Sequence, residues 1–137
     1  MARTVDSDEG PSDRILLDSG TTTHMTPHRH KVTEAISTQK PIKLADDSII
    51  QAKLSGTREV NWMTSEGNQM VYLSNTLVAP DVSMSLLSIP ALVNKNIAVL
   101  FMQKKALLID LEDEFAILGT ATQSDRDGLF YIEDYQD

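Results

Sequence analysis

The sequence predicts an all-β domain, a small barrel or sandwich with one short helix. Three observations carry the prediction. Short apolar runs with period-two alternation recur along most of the chain, turn residues separate them at close spacing, and only one stretch carries helix signals. The length of 137 residues suits one domain, and 41 % apolar residues suffice for a core. Aromatics make up only 5 %, so Leu, Ile, Val and Met must fill that core.

Residues 1–13 are polar, with Val5 their one sizeable apolar side chain, and read as a disordered leader or linker. Met1-Ala2 before this stretch reads as a start added to a segment of something longer. Residues 14–17 form a short strand ending at Asp18, followed by a polar loop closed by Pro27. Residues 31–38 are expected as a helical turn or an irregular crossing. A hairpin follows over 41–54, with Asp46-Asp47-Ser48 as its turn and Gly56 as a bend or bulge after it. Strands are expected at 57–63, 69–74 and 76–79, the first two joined by a turn at Ser65-Glu66-Gly67-Asn68. The helix runs over 90–95, with Pro90 in its first turn, Ser88 as cap and Asn96 near its stop. Four further strands, at 97–102, 106–111, 115–120 and 128–132, form an extra C-terminal hairpin region, and 134–137 is an acidic tail.

Charge and composition exclude several classes. Net charge is −8, and residues 110–137 hold nine acids and one base, Arg126, which already sum to −8. Residues 1–109 hold eleven acids and eleven bases. No basic excess marks a nucleic-acid face, so direct nucleic-acid binding is not expected. There is no cysteine, which removes disulfides and cysteine-based zinc sites and fits a reducing compartment. No apolar run approaches the ~20 residues of a membrane span, and the N-terminus lacks a signal-peptide pattern.

The most informative stretch is Ile15-Leu16-Leu17-Asp18-Ser19-Gly20-Thr21-Thr22. An apolar run delivers one carboxylate into a turn of small hydroxyl residues and Gly. A surface acid needs no such run; an acid held in a fixed place at the end of a buried strand does. An ordinary polar turn has the same composition. A phosphorylation-dependent degron shares the Asp-Ser-Gly shape, but needs a disordered flank that the apolar run does not provide.

Two metal patterns fail on inspection. His24, His28 and His30 are spaced like ligands, but Pro27 breaks any single helix from His24 to His28 and no acid or cysteine stands beside them. Asp125-Arg126-Asp127-Gly128 has part of a calcium loop, yet Gln123 occupies the first ligand position and no helices flank it. No metal or cofactor is expected. His24 reads as a hydrogen-bonded structural residue, and Trp62 and Phe101 as core or interface aromatics.

The stretch from Leu16 to Thr26, with its apolar pair, Asp18-Ser19-Gly20 and His24-Met25, resembles the protease segment of copia-type LTR retrotransposon polyproteins. Leu44-Ala45-Asp46-Asp47-Ser48 is similar to that family's Leu-Ala-Asp-Gly-Ser hairpin. Thr76-Leu77-Val78-Ala79-Pro80-Asp81, Ser85-Leu86-Leu87-Ser88-Ile89, Gly119-Thr120 and Gly128-Leu129-Phe130-Tyr131 follow its later motifs in order, so the resemblance spans residues 14–133.

The resemblance implies a retropepsin-like small β-barrel or sandwich and an aspartic endopeptidase that processes a Gag-Pol polyprotein. It implies Asp18 as the catalytic residue, Ser19, Gly20 and Thr21 as its turn, and Leu86, Leu87 and Ser88 as a wide loop beside the active site. Residues Leu44, Ala45, Asp46, Asp47 and Ser48 fall at the substrate-covering flap, with Asp47 where the family pattern has Gly. Carboxylate peptide hydrolysis needs two acids sharing a proton, and no second Asp-Ser/Thr-Gly occurs in the chain. The expected enzyme is therefore a homodimer, each chain giving one Asp18. Its substrate is an extended peptide, and its implied place is the cytoplasm, within a virus-like particle of a retroelement. The alternative from another class is a non-catalytic retropepsin-fold interaction or assembly domain of a host-adopted gene.

Overall fold

A computed structural model of the chain describes residues 13–43, 46–64 and 67–134. Residues 1–12 of the expected leader, flap residues Leu44 and Ala45, turn residues Ser65 and Glu66, and tail residues 135–137 lie outside the described residues. The fold is all-β, with one short helix among the described residues.

The elements are β1 (Asp13–Asp18), β2 (Met25–Thr26), a 3-10 turn (Arg29–Lys31), β3 (Val32–Lys43), β4 (Ile49–Thr64), β5 (Gly67–Val78), β6 (Ser85–Ser88), α1 (Ile89–Asn94), β7 (Ile97–Met102), β8 (Lys105–Asp110), β9 (Ala116–Gln123) and β10 (Phe130–Asp134). They form a single mixed sheet in the order β3-β4-β5-β2-β6-β1-β10-β9-β8-β7. Pairing is antiparallel except for β1 with β6 and β2 with β5. The expected helix is present, started by Ser88, whose hydroxyl accepts from the Ala91 N–H at 3.0 Å.

Although far apart in sheet order, β4 packs against β9 and β10, so the sheet folds back on itself. Trp62 of β4 is fully buried and lies on Gly119 of β9, where an added Cβ would come within 2.6 Å of the indole ring. Ile15, Leu17, Leu87, Leu92, Leu108 and Ile132 are among the residues packed with it in this main core. Leu and Ile fill it, as an aromatic-poor composition requires. A second cluster around Met25, Ile42, Leu77 and Val82 lies under the β3–β4 hairpin.

The structure departs from the sequence reading in four places. Residues 32–38 are strand, not a helical turn, because β4 supplies a partner ladder, and bulges at Thr33/Ile36 and Ser37/Lys40 absorb the irregular pattern. Gly56 lies at a bulge, as expected, but does not separate two strands. It sits inside the continuous β4, where its missing Cβ lets the Thr33 carbonyl approach; a Cβ there would lie 2.5 Å from that oxygen. Residues 69–79 hold one strand rather than two, with Asn75 taking a left-handed φ of 58° at the bulge opposite Thr57. Leu86, Leu87 and Ser88 stand in strand β6 rather than in a loop, since Ser85, Leu87 and Ser88 are buried between β1 and β2.

Candidate active site

β1 is a central strand, hydrogen-bonded to β6 on one side and to β10 on the other. Ile15 and Leu17 point into the core, and Asp18 is the last residue before the turn. The Asp18 carboxylate accepts the Gly20 N–H at 2.7 Å, an Asx turn that ends the strand. A Cβ on Gly20 would lie 3.2 Å from that oxygen, so glycine lets the backbone turn close under the carboxylate.

Beside it in parallel register, Asp18 pairs with Ser88. Ser88 is fully buried and serves three neighbours. Its hydroxyl donates to the Thr21 carbonyl at 2.7 Å, the same oxygen caps α1, and its N–H donates to His24 Nδ1 at 3.0 Å. The sequence-predicted turn and the Leu86-Leu87-Ser88 segment are thus brought together. The Thr21 hydroxyl donates to the Thr23 carbonyl at 3.1 Å, bracing its own turn rather than the carboxylate, and Ser19 is exposed.

His24 is the buried histidine expected as structural. Burial pushes its pKa down to about 4. With Nδ1 accepting from Ser88, the neutral ring carries its proton on Nε2. The histidines do not act as a set: His28 and His30 rings lie 5.8 Å apart, His28 Nε2 faces the Asp13 carboxylate at 3.8 Å, and His24 is tied to Ser88. Asp127 accepts from the Tyr131 hydroxyl at 2.5 Å and, to a lesser effect, from the Leu129 N–H at 2.9 Å, and these bonds hold its pKa down.

The candidate flap is the β3–β4 hairpin, at one edge of the sheet order. The described part of its tip is closed by Asp46, which accepts from both the N–H and the hydroxyl of Ser48. Asp47 has φ 70°, the left-handed region that glycine occupies most easily. A cavity of about 720 Å³ is lined by Thr22–His24, β5 and α1 among others; among the described residues its charged lining residues are Lys40 and Lys95, and Asp18 does not line it.

Sequence reasoning missed a buried charge cluster on the same strands. Arg58 of β4 is 1 % exposed and reaches Asp13 at 2.7 Å, Asp134 at 3.1 Å and the Ser85 hydroxyl at 2.7 Å. Asp134 also accepts the Asn61 N–H at 3.0 Å and lies 3.5 Å from Lys31 Nζ. The cluster clamps the start of β1, the end of β10 and β6 onto β4. Asp13 and Asp134, expected just outside the domain, are its terminal strand residues. A signal was available: Gly56, Arg58, Val60 and Trp62 alternate on one face of a strand, so Arg58 occupies an inward position.

These features define an all-β domain with a carboxylate turn held between two central strands. The family model for the Pol polyprotein, beta-barrel domain, matches residues 15–97, and the chain belongs to that family. The domain is therefore a region of a retroelement Pol polyprotein. No curated protein and no solved structure matches the chain.

Proposed function

We propose that the domain is an aspartic endopeptidase of a copia-type retroelement, processing the Gag-Pol polyprotein as a homodimer with one Asp18 from each chain. The observation that carries the reading is the pairing of Asp18 with Ser88, with Ser88 bound in turn to the Thr21 carbonyl. A carboxylate that must share a proton with a second carboxylate needs a fixed backbone, and two strands plus a buried hydroxyl fix this one.

In the proposed dimer the two Asp18 side chains hold one proton between them, because close like charges cannot both ionise. The ionised one takes a proton from water; the protonated one donates to the scissile carbonyl. Asp18 is partly exposed in the single chain, as a group awaiting a partner must be. The substrate is an extended peptide held by main-chain hydrogen bonds, within the cytoplasmic particle that the element builds.

The test is cleavage of a peptide library by the purified chain and by Asp18→Asn, which keeps the shape and removes the shared-proton chemistry. The reading expects cleavage only from the first; cleavage by Asp18→Asn contradicts it. A second reading, a non-catalytic assembly domain, draws support from the cavity, whose lining includes Thr22–His24 but not Asp18. It expects no cleavage from either protein.

A further inference from the structure

We propose that the outer face of β7, β8 and β9 is a self-association surface that takes a second copy of this chain in antiparallel, two-fold stacking. The proposal stands apart from the protease reading, since the face contains no residue of the Asp18 turn.

Strand alternation defines the face. On β7, Ile97 and Val99 pack against the main core, so Leu100 and Met102 point the other way. Leu100 pairs with Leu107 of β8, and Ile109 pairs with both Ala98 of β7 and Ile117 of β9. Leu100 is 49 %, Met102 37 % and Ile117 38 % exposed. Apolar side chains therefore run continuously across three strands with no described element over them. A contiguous apolar patch of this kind marks an interaction site.

Charge selects the occupant. Lys105 lies at one end of the apolar stripe, paired with Met102. Glu112, Asp113 and Glu114 occupy the β8–β9 turn at the opposite end. An antiparallel two-fold stack lays each Lys105 near the partner's acidic turn and each apolar stripe on its copy, an isologous contact. A strongly acidic partner would meet the acidic turn, and a purely apolar one would leave Lys105 unmatched.

Sedimentation velocity of the intact chain over a concentration series tests this. The wild type is expected to self-associate. Leu100→Glu, on an exposed position, is expected to weaken association about tenfold or more while leaving thermal unfolding unchanged at concentrations where the wild type is monomeric. Lys105→Glu alone and Asp113→Lys/Glu114→Lys alone are each expected to weaken it, and mixing these two is expected to restore association, because both inter-chain contacts then join opposite charges. Asp18→Asn should associate like wild type. A chain that stays monomeric at millimolar concentration overturns the proposal. So does association untouched by Leu100→Glu, or a monomer that Leu100→Glu destabilises, which would mean that a segment of the same chain covers the face.

Discussion

The Ser88 N–H donates to His24 Nδ1 across 3.0 Å, inside a layer where both residues are buried. The bond requires the imidazole to be neutral, since a protonated ring has no acceptor. Burial enforces this by lowering the His24 pKa from 6.5 to about 4. The folded chain therefore binds fewer protons than the unfolded chain between those values. The stabilisation is complete above pH 6.5 and is lost progressively as pH falls towards 4, at roughly 1.4 kcal/mol per pH unit within the window. Urea unfolding at pH 7 and pH 5 measures the loss, and His24→Asn, which keeps an acceptor and removes the titration, should flatten it.

Ser88→Ala removes the bond to the Thr21 carbonyl and the cap of α1 together. The expected cost is about 1–3 kcal/mol, the sum of a lost cap and an unsatisfied buried carbonyl. Denaturant unfolding reads it. Ser88→Thr keeps the hydroxyl and should recover part of the loss.

Arg58→Met is expected to cost about 3–5 kcal/mol, because it leaves the Asp13 and Asp134 carboxylates without their shared guanidinium. High salt should barely change the wild-type contribution, since a buried pair is poorly screened. Thermal unfolding of wild type and variant at low and high salt checks both statements.

The sequence made the strand count of the C-terminal half readable because its turns are short and dense with Gln, Lys, Asp and Glu. It made the Asp18 turn readable because an apolar run before Asp-Ser-Gly has a definite physical meaning. β3 is not legible in the sequence, since Glu34 and Thr38 interrupt its alternation and only the partner strand β4 shows that two bulges absorb them. Gly56 signalled a bulge but not the continuity of β4, which depends on a carbonyl from another strand. The Arg58 cluster joins Asp13 to Asp134, residues at opposite ends of the chain, and no local pattern reports such a contact.

Asp47→Gly is expected to be neutral or to stabilise by about 0.5–1 kcal/mol, because glycine relieves a left-handed φ of 70°. The lost contact to Lys43, at 3.2 Å between two largely exposed side chains, contributes little. Thermal unfolding gives the sign, and faster amide exchange in the hairpin would report the added freedom of glycine at its tip.

Mixing wild-type chain with Asp18→Asn chain tests whether the proposed activity needs Asp18 from two chains. At constant total concentration, cleavage is expected to fall as the square of the wild-type fraction, so an equal mixture retains about one quarter of the activity. A linear fall to about one half would mean that a single chain acts alone, and would overturn the proposed two-chain active site.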